Sequence, residues 1–228
     1  MAFQNQKDSI LKFYENHLKI IIKIQSIIKG KIFRKNRLPN SLLTIQKILQ
    51  ENNLSLCKTS EDGRINSCID EDEIIKILSE KIPNRILRQK KRMWFDVAIF
   101  DYIYGFLPVN IKTSTTLTSD NTGNLAMCVY AYTDEKLDIT KFYKNGDMSK
   151  ILLDKLNRKE YNSTDKKDYY FVVINKTNKN DIIINSVKGL TNITPNLNNL
   201  PFQIRWNKNK NFKYKKMTEN IKMLINAF

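Results

Sequence analysis

The sequence predicts an α/β (α+β) fold, with a mixed central β-sheet, helices, and a helical extension at the amino end. Three observations carry this expectation. Helical periodicity dominates the first eighty residues, β-branched and aromatic runs follow from Trp94 onward, and the element order is helix, hairpin, helix, strand, strand. A chain of 228 residues with 41% hydrophobic residues supports one full core plus a small helical appendage. We therefore divide it into an N-terminal helical region, residues 1–58, and a main domain, residues 59–228.

Each element has its own signal. In residues 9–35, Phe13, Tyr14, Leu18, Ile21, Ile24, Ile28 and Ile32 recur at three- and four-residue steps, as one long amphipathic helix requires. Pro39-Asn40 stops it, and Asn40 or Ser41 is placed to cap a second helix over 42–50. Residues 52–66 are polar, contain Asp62-Gly63, and read as a connection. A third helix is expected from near Asp70, with acidic residues in its first turn where the helix dipole favours them, and it ends before Pro83. Strands are expected over 94–100 and 107–113, joined through a turn containing Gly105 into a hairpin. Residues 123–136 read as a helix, 169–174 and 182–187 as buried strands about an Asn- and Lys-rich turn, 202–206 as a further strand, and 217–228 as a closing helix. There is no internal repeat.

Thirty-nine Lys and Arg against 23 Asp and Glu leave a net charge of +16. That excess attracts polyanions and exceeds what solubility requires, so nucleic acid is favoured over a membrane surface. The run Ile20-Ile21-Ile22 is cut by Lys19 and Lys23, too short and too charged for a signal peptide or a membrane span. Cys57, Cys68 and Cys128 with the single His17 form no zinc pattern, and they read as reduced thiols of a cytoplasmic or nuclear protein. No Gly-rich phosphate loop, serine triad or redox motif is present.

The chemistry concentrates in the hairpin. Side chains alternate along a strand, so Asn110 and Lys112 share one face while Val109 and Ile111 share the other. The hairpin brings Asp96 beside them. A carboxylate, an amide and an ammonium then converge at the end of an otherwise apolar sheet. The carboxylate can hold Mg²⁺, and the lysine can orient water or stabilise charge on a phosphate. The alternative is a strand-end salt bridge between Asp96 and Lys112.

This constellation, Asp96 followed fourteen positions later by Asn110-Ile111-Lys112, resembles the PD-(D/E)xK nuclease superfamily and, within it, the type II restriction endonucleases. The resemblance spans roughly residues 64–135. It implies a helix-flanked mixed sheet, Mg²⁺ as cofactor, Asp96 and the carbonyl of Ile111 as metal ligands, and Lys112 positioning the attacking water. It further implies sequence-specific cleavage of double-stranded DNA by a homodimer. Asn110 departs from the pattern, which has Asp or Glu there, so a second carboxylate must come from elsewhere. Glu71 lies on the apolar face of the third helix with Ile74, Ile75 and Leu78 and is the choice, with Glu73 in reserve and Asp120 and Asp101 weaker. Residues 113–121 match the region such enzymes place beside the active site, so Thr113, Ser114, Thr116, Ser119, Asp120 and Asn121, with Arg88 and Lys90, are candidate DNA contacts. They can equally form an ordinary polar loop. A catalytically inactive nucleic-acid-binding protein is the rival reading, for which Asn110 is the sign.

Residues 24–34, Ile24-Gln25-Ser-Ile-Ile-Lys29-Gly30-Lys-Ile-Phe-Arg34, match the IQ motif that calmodulin-like proteins clasp. The same helix suits packing on the core or lying along DNA phosphates. An IQ-like helix ahead of a nuclease-like core is similar to proteins encoded by large DNA viruses, which adds virion association to the expected locations. A second basic stretch, Trp206 to Lys216, interleaves lysines with aromatics and can track a phosphate backbone.

Overall fold

The computed structural model describes residues 38–52, 54–56, 63–91, 93–122, 124–161, 167–196 and 201–227. The IQ-like helix, His17 and Cys57 lie outside the described residues. One compact unit, Leu38–Phe228, contains all of them.

Its helices are α1 (Asn40–Glu51), α2 (Gly63–Lys81), α3 (Ala126–Tyr132), α4 (Asn145–Asn157) and α5 (Met217–Asn226). Its strands are β1 (Ile86–Arg88), β2 (Val97–Asp101), β3 (Gly105–Ser114), β4 (Ser119–Asn121), β5 (Tyr170–Asn175), β6 (Asn178–Ser186), β7 (Ile193–Thr194) and β8 (Gln203–Arg205). Five strands form a mixed sheet in the order β1-β2-β3-β5-β6, antiparallel except for the β3/β5 pair, and a small antiparallel sheet has the order β4-β8-β7. The fold is therefore the α+β plan with a mixed sheet that the sequence predicts.

Strand alternation gives the main sheet two apolar faces. On one, Val97, Ile99, Leu107, Val109, Ile111, Val172 and Ile174 meet Leu42, Ile45 and Leu49 of α1 and Ile74, Ile75 and Leu78 of α2. On the other, Ala98, Phe171 and Val173 meet α3, α4, α5 and the small sheet, with Trp94 and Trp206 fully enclosed. Helices thus cover both faces. α1 belongs to this packing, so the compact unit starts at Leu38, ahead of the boundary at residue 59 drawn from the sequence.

Several boundaries differ from expectation. Pro39, not Asn40 or Ser41, precedes the first turn of α1, and no side chain caps it. Ser41 instead donates its hydroxyl to Asp101. α2 begins at Gly63 rather than near Asp70, so the acidic run Asp70–Glu73 sits mid-helix and not in a first turn. Its early turns expose Ile65 and Ile69, at 52% and 44%, and so lack the inward stripe that marks a packed helix. The helix expected over 123–136 is confined to Ala126–Tyr132, and α4 has no counterpart among the expected elements. Asn145-Gly146-Asp147 reads as a turn, and only Met148, Leu152 and Leu156 of α4 are buried.

The hairpin forms as expected, but its first strand begins at Val97 rather than Trp94, so Asp96 precedes the strand instead of lying on it. Gly105 adopts φ +76°, a conformation that costs glycine little. Asp101 fixes the turn by accepting from the amides of Ile103 (2.8 Å) and Tyr104 (3.0 Å).

Gly189 makes a close approach on the second face. A Cβ there would strike the buried Asn185 side-chain oxygen and stand 2.6 Å from a Phe212 ring carbon. Asn185 is committed to the Asn209 carbonyl (2.6 Å) and has no room to retreat. Gly189→Ala is expected to lower stability by about 1–3 kcal/mol through overpacking, read as a lower urea midpoint with an unchanged slope.

Candidate active site

The β2/β3 ladder ends at the pair Val97↔Val109, where the amide of Asp96 donates to the Val109 carbonyl (3.0 Å). Beyond it β3 continues without β2, and the Asp96 side chain takes the vacated place. Its Oδ2 accepts from the amide of Ile111 (2.8 Å) and from Nδ2 of Asn110 (2.8 Å). In a strand the N–H and C=O of one residue point to the same side. The Ile111 carbonyl therefore faces the same gap as the Asp96 carboxylate. The approach to Asp96 is held rigidly, because Trp94 and Phe95 are buried and the Tyr169 hydroxyl donates to the Trp94 carbonyl (2.9 Å).

Asn110 and Lys112 pair with Phe171 and Val173, so they share the second face, while Val109 and Ile111 are enclosed on the first. No ion pair joins Lys112 to Asp96 among the described residues; the Asp96 carboxylate is engaged by Ile111 and Asn110 instead. The simple salt-bridge reading is not what the geometry shows.

Glu71 comes from α2, which covers the first face. Burial, followed by the charge of Asp96, pushes its carboxyl up to about 7, with Lys112 opposing. Burial likewise raises Asp96 to about 6, against the Ile111 amide and Lys112. Two acids thus share a desolvated site in which the available donors and the lysine do not fully compensate their charge. A cation or protons must supply the remainder.

The donor set suits a hard cation. It comprises the second oxygen of Asp96, the Glu71 carboxylate and the Ile111 carbonyl, and beside them Oδ1 of Asn110 is buried with no hydrogen-bond partner. Among the described residues no group of three or more His, Cys, Asp or Glu side chains is gathered as a metal centre. Two carboxylates with a carbonyl and several retained waters are nevertheless a set that Mg²⁺ accepts.

The remaining candidates separate. Glu73 accepts from Ser55 (3.2 Å) away from the site, and Asp101 is consumed by the hairpin turn. Asp120 lies on β4, opposite Ile204 in the small sheet. Thr113 points to the first face and donates to Asp70 (3.2 Å). Ser114 and Thr116, each 3% exposed, build the turn after β3: the Thr116 amide donates to Ser114 Oγ (2.9 Å) and Thr116 has φ +65°. These two, expected as DNA contacts, are therefore internal and build the turn. Ser119 and Asn121 lie on β4, where the exposed Asn121 accepts from Asn196 (2.7 Å) and Gln203 (3.1 Å).

Arg88 and Lys90 do join the site. With Cys68, Glu71, Asp72, Ile75, Gln89, Lys91 and Asp96 they line a cleft of about 350 Å³. Lys112 is not in that lining; it acts on both acids from the sheet's other face. The participation of Asp72 has no signal in the sequence, since its partners are distant along the chain.

No protein-family model, curated protein or solved structure matches the chain. Among the described residues no helix is long and apolar enough to cross a membrane.

Proposed function

We propose that this protein is a Mg²⁺-dependent endonuclease of the PD-(D/E)xK kind that hydrolyses phosphodiester bonds of double-stranded DNA. The observation that carries the reading is the placement of Asp96 where the β2/β3 ladder stops, beside Ile111 and within electrostatic reach of both Glu71 and Lys112. The two-faced mixed sheet and the net charge of +16 support it.

Asp96, Glu71 and the Ile111 carbonyl are the groups that would hold the metal, whose chemistry when bound would be to offset phosphate charge and lower the pKa of a water. The Ile111 amide and Asn110 fix the Asp96 carboxylate, so its free oxygen is aimed before metal arrives. Lys112 supplies a fixed positive charge that orients water and stabilises negative charge developing on the phosphate. Water attacks phosphorus, the bond to the leaving sugar oxygen breaks, and that oxygen takes up a proton. Sequence-specific cutting by a homodimer is the matching assembly, because two strands require two sites. A calmodulin-like partner at residues 24–34 is a separate proposal resting on the motif.

One observation favours the second reading, an inactive DNA-binding protein. The amide of Asn110 itself satisfies an Asp96 oxygen. Incubation of plasmid and genomic DNA with Mg²⁺ separates the two. Fragments from the wild type and none from Asp96→Asn, which keeps an oxygen for the Ile111 amide, are expected. Intact DNA with binding retained would give the second reading first place.

A further inference from the structure

We propose that Arg88 and Lys91 form a binding site for a DNA backbone phosphate beside the scissile one, and that the Asp72 carboxylate occupies this site in the free protein. The inference rests on the nucleic-acid reading above and names a contact and its built-in competitor.

Arg88 reaches one Asp72 oxygen (2.6 Å) and Lys91 the other (3.2 Å). Two cations gripping two oxygens of one anion is the arrangement that the non-bridging oxygens of a phosphate require. The cations line the same cleft as Glu71 and Asp96, and Asp72 is the chain neighbour of Glu71. Their position relative to Asp96 is set by backbone. Arg88 pairs with Val97 in the β1/β2 ladder, and the Gln89 amide donates to the Asp96 carbonyl (3.0 Å). The sheet thus fixes the spacing between this cation pair and the reacting centre.

The grip on Asp72 is exchangeable. The Arg88, Lys91 and Asp72 side chains are 51%, 72% and 42% exposed, and ion pairs in such surroundings contribute little and are screened by salt. A polyanion with a condensed counterion atmosphere gains from each cation it recruits. On binding, the cations pass from the carboxylate to the phosphate, and Asp72 returns to water.

The test is equilibrium binding of the full chain to a labelled DNA duplex by fluorescence anisotropy, in EDTA to prevent turnover and over a series of salt concentrations. Arg88→Gln/Lys91→Gln is expected to reduce the slope of log K against log salt by about 1, near 0.9 for the one phosphate that is no longer neutralised. Asp72→Asn, which frees the cations, is expected to tighten binding by about two- to tenfold. Asp154→Asn, which removes the same charge from the exposed Asp154–Arg158 pair on α4, controls for net charge and is expected to change affinity less. A wild-type slope in the double variant overturns the inference, as does equal tightening by Asp72→Asn and Asp154→Asn. A wild type that binds no duplex overturns the nucleic-acid reading itself, which keeps the two failures distinct.

Discussion

The Lys112→Ala protein is expected to bind duplex DNA within about twofold of the wild type and to cleave it about a hundred- to ten-thousandfold more slowly, the range for losing one positioned catalytic group. Lys112 stands on β3, two residues beyond Asn110, and its charge reaches both Asp96 and Glu71. It does not line the cleft that carries the other cations, so its removal costs little attraction for the DNA backbone. What it removes is a positive charge fixed beside the reacting centre. Arginine is not expected to restore the rate, because a planar guanidinium differs in reach and donor geometry from an ammonium. Single-turnover cleavage at saturating protein with Mg²⁺, alongside anisotropy, measures the two quantities separately. A wild-type cleavage rate in Lys112→Ala would remove the lysine from the mechanism.

The second large effect is on stability. In the metal-free protein, Glu71 is raised to about 7 and Asp96 to about 6 from ordinary values of 4.5 and 3.8. A carboxyl whose folded pKa lies above its unfolded one stays protonated in the native state while the unfolded chain has already released its proton. Stability is then highest below the unfolded pKa and falls as pH rises through the folded one. These acids, with the buried Asp168 that is likewise raised to about 6, set a decline between about pH 4 and pH 7. Carboxyls held below their ordinary values, Asp101 and Asp181 among them, act at lower pH and leave this window clear. For Glu71 and Asp96 together the loss is of the order of 2–4 kcal/mol after allowance for solvent screening and mutual coupling. Thermal melts from pH 4.5 to 8 in EDTA check this. Glu71→Gln/Asp96→Asn is expected to flatten the profile to the part owed to Asp168. Mg²⁺ at a hundred times its dissociation constant is expected to return about 2.7 kcal/mol at pH 8 and much less at pH 5. A profile in the double variant identical to the wild type would show that these acids do not share a desolvated site.

Much of this architecture is legible in the sequence because it depends on local rules. The hairpin announces itself through alternation on both sides of a turn containing Gly105, and alternation alone assigns Asn110 and Lys112 to one face. Glu71 is legible because an acid on the stripe of Ile74, Ile75 and Leu78 conflicts with burial. The start of α2 is not, because Ile65 and Ile69 face outward and leave no stripe to read. Nor is α4, whose opening Asn-Gly-Asp has the chemistry of a turn. The hydroxyl-rich run after β3 misleads for a different reason. Polarity alone does not distinguish a side chain that faces a ligand from one that satisfies the backbone of its own turn, and Ser114 does the latter by accepting from the Thr116 amide. The grip of Asp72 on Arg88 and Lys91 joins residues sixteen and nineteen positions apart, and only the β1 pairing brings them together.

The late start of β2 at Val97 leaves the Ile111 amide without a strand partner, and a carboxylate answers it. An unanswered amide in an interrupted ladder is the feature by which one chain recruits a strand from another. Asp96 therefore also guards the sheet, placing a negative charge where an invading strand would have to dock.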